Sequence, residues 1–330
     1  MIYYNKAQSS VTKSLGLPYM GSKRKLANKI VGFIIDENPN VKYVYDLFGG
    51  GGAISFEFLK YPQVEKVIYN ELNTGIVELL KDVLYNGVTE KYNQWVDRET
   101  FMKHKNDNDW FGGLCKCIWS FGNSQASYLF GKDIEEYKKN YHLVVVNKIN
   151  KLTEMKEFIE SYVFKKYNIK ENINLIMPVE NNLYKRKLEI RKQLNIYEKD
   201  CKLNQLRQLQ QLQQLERLQQ LQQLQQLERL EILNYSYENI NINTPINETI
   251  IYLDPPYENT GKYQNDIKHN LLYEWIKKSP YKIYLSSYKS ELFECASFNH
   301  RCTLLATANN RVEEKLFCNR KSLKNDINIF

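Results

Sequence analysis

The chain has 330 residues, 43% hydrophobic and 25% charged, with a formal net charge of +8. This is the composition of an ordinary globular protein, long enough for one large domain plus an insertion, and no apolar run approaches the length of a transmembrane helix. The six cysteines are scattered and no secretory leader precedes them, so reduced thiols in a cytoplasmic protein are expected. Cys115 and Cys117 are too closely spaced for a zinc knuckle, and the four histidines complete no ligand pattern with them; no metal is expected. The positive charge and 25 tyrosines favour a polyanionic partner, with charge for phosphate and rings for bases.

Residues 1–16 read as weakly ordered. Leu17-Pro18-Tyr19-Met20-Gly21-Ser22-Lys23 then leads into Leu26, Ile30 and Ile34 at helical spacing. Gly21 suits a tight turn and Ser22 an N-cap. Lys23 falls in the first turn, where a cation opposes the helix dipole unless it faces an anion. Val41 to Leu47 reads as the first strand, running into Phe48-Gly49-Gly50-Gly51-Gly52-Ala53 and a helix through Ile54, Phe58 and Leu59. Strand, glycine loop and helix form a nucleotide-type site, in which glycines let the backbone approach a ligand. It is not the six-residue dinucleotide fingerprint, because Gly50 and Gly52 fill positions which that motif leaves variable. A second strand, Lys66 to Asn70, ends in Glu71-Leu72-Asn73, an acid about 20 residues beyond the loop and placed to accept ribose hydroxyls.

After a helix over 76–85 the α/β rhythm stops. Residues 86–202 read as an insertion between two halves of a sheet; its 131–202 part has 16 Lys/Arg against 11 Asp/Glu, and it is expected to recognise the partner. Residues 203–233 form a low-complexity tract with leucine at every third position. Leu-Gln-Gln-Leu-Gln-Gln-Leu-Glu-Arg-Leu begins at both Leu209 and Leu221. On a helix such a period drifts about 60° per step, so the leucines make no single seam. The tract reads as a helical, tolerant connection from which the unit 221–232 can be cut with little effect.

The sheet resumes at 234. Ile250-Ile251-Tyr252-Leu253 is a buried strand that stops at Asp254-Pro255-Pro256-Tyr257, because two prolines cannot extend a central ladder. The Asp254 carboxylate and neighbouring carbonyls become acceptors at the strand end, and the Tyr257 ring a wall beside them. Acceptors suit an exocyclic amine; a ring suits a flat base. A loop (258–264), a helix over Leu271 to Lys277, a strand over Lys282 to Ser287 and a closing pair at 302–307 and 312–318 complete the pattern.

In this order, Pro18-Tyr19-Met20-Gly21-Ser22-Lys23, Asp46-Leu47-Phe48-Gly49-Gly50-Gly51, Asn70-Glu71-Leu72-Asn73, a basic insertion and Asp254-Pro255-Pro256-Tyr257 resemble the Dam-type (alpha-group) DNA adenine methyltransferases. The resemblance covers roughly 15–85 and 234–320. Tyr19 stands for the family's usual Trp, Ser22 for a Gly and Glu71 for an Asp. The resemblance implies a Rossmann-like α/β fold with a mostly parallel sheet, its halves at 1–85 and 234–330. It also implies S-adenosylmethionine as cofactor. Lys23 would pair with the cofactor carboxylate, Tyr19 and Phe48 would pack on it, and the loop from Asp46 through Gly49 and Gly51 would approach it. Glu71 would hold its ribose. Asp254 and the Pro255 carbonyl would accept the two protons of the adenine amine, with Pro256 fixing the turn and Tyr257 stacking on the flipped base. The expected substrate is double-stranded DNA and the expected state a monomer. A paired restriction endonuclease, an RNA or protein-amide substrate, and a silent DNA-binding relative stay open at this point.

Overall fold

A computed structural model describes residues 14–165, 173–194, 206, 208–256, 267–301 and 311–321. The strands β1 (Tyr43–Asp46), β2 (Lys66–Asn70), β3 (Leu230–Leu233), β4 (Thr249–Leu253), β5 (Lys282–Ser287), β6 (Phe293–Arg301) and β7 (Arg311–Cys318) form one sheet in the order β3-β2-β1-β4-β5-β7-β6. The first five are parallel to one another, and β7 runs antiparallel to both β5 and β6. Every residue of β4 is buried, as expected of a central strand with both faces covered. The order reverses between β1 and β4, so their carboxyl ends open at a topological switch point.

Ten α-helices occur among the described residues: α1 (Ala27–Glu37), α2 (Ala53–Phe58), α3 (Thr74–Tyr85), α4 (Arg98–His104), α5 (Trp110–Ile118), α6 (Glu135–Val145), α7 (Leu152–Phe158), α8 (Leu183–Gln193), α9 (Gln210–Leu221) and α10 (His269–Lys278). None is long and apolar enough to cross a membrane. The chain separates into two compact units, one of Met1–Gly87, Asn108–Gly113 and Arg217–Phe330, the other of Val88–Asp107 and Leu114–Glu216. The first holds the sheet. The second is helical around a cluster in which the Trp95 ring lies parallel to Phe130 at 5.7 Å and edge-on to Trp119 at 5.0 Å. His142 packs edge-on to Trp95, and burial lowers its pKa to about 4. Lys138 is fully buried, donates to the Leu206 and Gln208 carbonyls, and is lowered by burial to about 7.

Three expectations need correction. The tract at 203–233 is, where described, more than a helical connection. Leu206, Leu209, Leu212, Leu215, Leu218 and Leu221 are all buried. Because a three-residue step turns the helix by about 300°, the successive leucines of α9 are buried over a wide arc, while Gln213, Gln219 and Gln220 remain exposed. The tract's last four residues are β3, paired in parallel with β2, and the Arg229 guanidinium donates to the carbonyls of Leu59, Tyr61 and Val64 beyond α2. Residues 302–307 lie outside the described residues; the strand that pairs with β7 is β6, ending at Arg301. Ser14 is not loose, since it is buried and its hydroxyl donates to Glu57 at 2.6 Å. Finally, the Ser22 side chain makes no cap. The chain enters α1 through a 3₁₀ turn at Lys23–Lys25, and the Ser22 hydroxyl is buried without a partner.

Candidate active site

Register brings the acidic groups together. Asp46, the last residue of β1, pairs with Tyr69 on β2 and with Tyr252 on β4. Glu71 and Asp254 each follow two residues beyond those partners, so three carboxylates come from three adjacent strand ends. Asp46 is 1% exposed. Its Oδ2 accepts from the Ser55 hydroxyl at 2.7 Å, while Oδ1 is buried with no partner. Burial pushes its carboxyl up to about 7 against the Ser55 hydrogen bond, with the nearby Asp254 and Glu71 charges adding to the rise. Glu71 accepts the Gly50 N–H at 3.0 Å on one oxygen and the Asn73 N–H at 2.8 Å on the other.

Asn70 fixes the β2 end. Its amide nitrogen donates to the Leu47 and Tyr235 carbonyls at 3.0 Å each, and its oxygen accepts from the Tyr235 N–H. It thereby ties together the chain segments that leave β1, β2 and β3.

The glycines of the loop serve the protein's own packing. A Cβ at Gly49 would lie 2.3 Å from the Tyr69 ring, and one at Gly51 2.8 Å from the Leu17 carbonyl oxygen. Gly52 sits at φ +78°, in the left-handed region that opens α2. The sequence suggests that these glycines admit a ligand; the structure accounts for them by contacts within the chain. Tyr19 lies against Gly50 and Gly51, beside the loop. Phe48 packs on Tyr237 at 5.4 Å between ring centroids, at the edge of the apolar cluster under β1, β4 and β5.

Asp254 follows β4 directly, with Pro255 buried and Pro256 half-buried behind it. Its carboxylate is 19% exposed and takes a 2.8 Å ion pair from the Lys23 ammonium. Lys23 is also 3.7 Å from Glu314 of β7, which is 3% exposed and accepts from the Ser286 hydroxyl at 2.6 Å. Burial alone would lower the Lys23 pKa; Asp254 and Glu314 outweigh it and hold the ammonium above its ordinary value. Tyr257 lies outside the described residues.

Sequence reasoning names Asp254, Glu71, Asp46, Lys23 and Tyr19, and the structure gathers these at one end of the sheet. It misses Glu314 and Ser286. A signal was present for Glu314: it shares an alternating strand face with Leu316 and Cys318, both buried, where an acid is out of place.

A family model of D12 class N6 adenine-specific DNA methyltransferases matches residues 19–293, a span that takes in Tyr19, Lys23, the glycine loop, Glu71 and Asp254. No curated protein matches the chain. The chain belongs to the D12 class and is an N6 adenine-specific DNA methyltransferase.

Proposed function

We propose that this enzyme takes its methyl group from S-adenosylmethionine and delivers it to an adenine turned out of double-stranded DNA, within a short fixed sequence. The residues present suit that donor. Asp46, Glu71, Asp254 and Glu314 are acidic groups gathered around the Lys23 ammonium, a locale that favours a ligand bearing a sulfonium and an ammonium. The buried, unpartnered Asp46 Oδ1 supplies a further acceptor. When bound, the cofactor supplies a methyl group already activated by its sulfonium, so the protein's task is alignment.

Glu71 would hold the ribose hydroxyls, its carboxylate fixed in place by the Gly50 and Asn73 N–H groups. Tyr19 and Phe48 offer ring faces on either side of the loop. Asp46 and the backbone of Gly49 to Gly51 line the approach. Lys23 is committed to Asp254 at 2.8 Å, so any cofactor carboxylate near it shares that ammonium.

The adenine amine is a weak nucleophile because its lone pair is delocalised into the ring. Asp254 and the Pro255 carbonyl accept its two hydrogens, which draws the nitrogen toward tetrahedral geometry and stabilises the charge that develops on it. Paired with Lys23, Asp254 acts as an acceptor, not a strong base. Pro256 stiffens the turn, and Tyr257 stacks on the base. That amine is out of reach inside a duplex, which is why the base leaves the stack. The unit of Val88–Asp107 and Leu114–Glu216 contributes DNA recognition, and its surplus of Lys and Arg over 131–202 makes binding fall steeply with salt.

The observation that carries this reading is the Asp254 carboxylate: at the end of the central strand, next to two prolines, part-exposed and held by a buried lysine. The test is mass spectrometry of nucleosides from DNA incubated with labelled S-adenosylmethionine, for the natural enzyme and Asp254→Ala. Label on adenine N6 that disappears in Asp254→Ala, with cofactor binding reduced much less, is the expected result. Label in cytosine, RNA or protein alone would refute it.

A further inference from the structure

Glu314 has no part in the reaction as described above, yet it is a carboxylate 3% exposed on an inward face of β7. Burying a second acid beside the Lys23–Asp254 pair costs several kcal/mol before any attraction is recovered, and an apolar residue would serve the sheet as well. Glu314 Oε1 takes the Ser286 hydroxyl at 2.6 Å, and the same oxygen lies 3.7 Å from Lys23 Nζ. Lys23 Nζ in turn is 2.8 Å from Asp254 Oδ1. Ser286 lies on β5, beside β4, and pairs with Leu316 on β7, so the chain Ser286, Glu314, Lys23, Asp254 runs from the rigid sheet to the strand end.

We propose that Glu314 is a positioning residue for methyl transfer, acting on Asp254 through Lys23. Two effects combine. Ser286 fixes the Glu314 carboxylate, which fixes the direction from which the Lys23 ammonium reaches Asp254. Glu314 also takes part of the lysine's positive charge. Against Lys23 alone Asp254 would be fully neutralised; with Glu314 present the group of three keeps a net negative charge, and Asp254 stays a strong acceptor for the amine.

The inference rests on Asp254 as the acceptor of the amine hydrogens. The experiment is a double-mutant cycle of Glu314→Gln and Lys23→Met, read by single-turnover methylation of duplex DNA, calorimetric cofactor binding and thermal unfolding. Glu314→Gln keeps the acceptor for Ser286 and removes only the charge. It should lower the methyl-transfer rate about 100-fold, the scale of a small misplacement at the reacting centre, while cofactor affinity changes less than about threefold. In the Lys23→Met background it should cost no further rate and should raise the melting temperature, because a buried acid without its lysine is relieved. Rate losses that multiply in the double variant, or a full rate in Glu314→Gln, would overturn the proposal. If Glu314→Gln does not fold, Glu314→Asp carries the test: its carboxylate is drawn back by one methylene, so the rate should fall at unchanged cofactor affinity, and a natural rate would overturn the idea. Failure of the underlying reading looks different, as turnover retained in Asp254→Ala whatever the cycle shows.

Discussion

Asp46 makes the sharpest stability prediction. Its carboxyl, buried at the end of β1 with one oxygen unpartnered, is raised from 3.8 to about 7, mainly by desolvation. The unfolded chain releases this proton near 3.8 and the folded chain retains it until about 7, so folding binds a proton across that window. The sign follows: the stabilisation is complete below 3.8 and is lost as pH rises through 7. Roughly three pKa units correspond to about 4 kcal/mol over the full window, and to about 2 kcal/mol over the part between pH 5.5 and 8. Asp46→Asn is nearly isosteric, keeps an acceptor for the Ser55 hydroxyl and has no proton to release. Urea unfolding of both proteins at pH 5.5 and pH 8 should show the variant gaining on the natural enzyme by about 2 kcal/mol between the two conditions. An equal gap at both pH values would refute the reasoning, since it would mean that Asp46 is ionised throughout.

Glu71→Ala should weaken S-adenosylmethionine binding by about 1–3 kcal/mol, by leaving ribose hydroxyls and two backbone N–H groups short of an acceptor; isothermal titration with an unchanged dissociation constant would count against it. Gly49→Ala should destabilise the enzyme by about 1–3 kcal/mol through overpacking, because the new Cβ meets the Tyr69 ring at 2.3 Å; a melting temperature equal to the natural one would show that the ring moves aside freely. Deleting 221–232 removes three of the four residues of β3 together with Arg229, and cooperative unfolding should be lost; a natural melting curve would restore the tract to the status of a tolerant connection.

Much of the sheet was legible because its central strands are short continuous apolar runs between breakers. The strand at 66–70 and the one at 282–287 are read to the residue, and Asp254 is found because Pro255 and Pro256 end the ladder beside it. What was not legible depends on partners far away in sequence. Leu230-Glu231-Ile232-Leu233 has nothing local to oppose helix; pairing with Val67 to Asn70 decides it. In β6, Phe293 to Arg301 mixes polar and apolar residues with a bulge between Glu294 and Ala296, which blurs the two-residue period. Glycines in the nucleotide-like loop pointed to the right place for an incomplete reason, since sequence shows where backbone is bare but not that Tyr69 and Leu17 are what approach it. Lys23 stood out as a cation ill-placed unless it faces an anion, with the cofactor carboxylate as its expected partner; that Asp254 and Glu314 face it required the fold.

The Leu-Gln tract has a consequence for inheritance. Its two identical decapeptides have different structures: 210–218 is helical, whereas 221–230 begins at the end of α9, turns, makes a 3₁₀ turn at Leu227–Arg229 and ends as the first residue of β3. Because the copies are identical, a slippage event that drops twelve residues anywhere from 209–220 to 219–230 yields one and the same protein. That protein always keeps one Glu-Arg-Leu run joined to Glu231-Ile232-Leu233, so the edge strand and the arginine beside it survive contraction. The loss falls on α9, whose twelve residues equal one repeat unit. Variation in repeat number would therefore add or remove the equivalent of the whole of α9 while leaving the sequence of the edge strand unchanged.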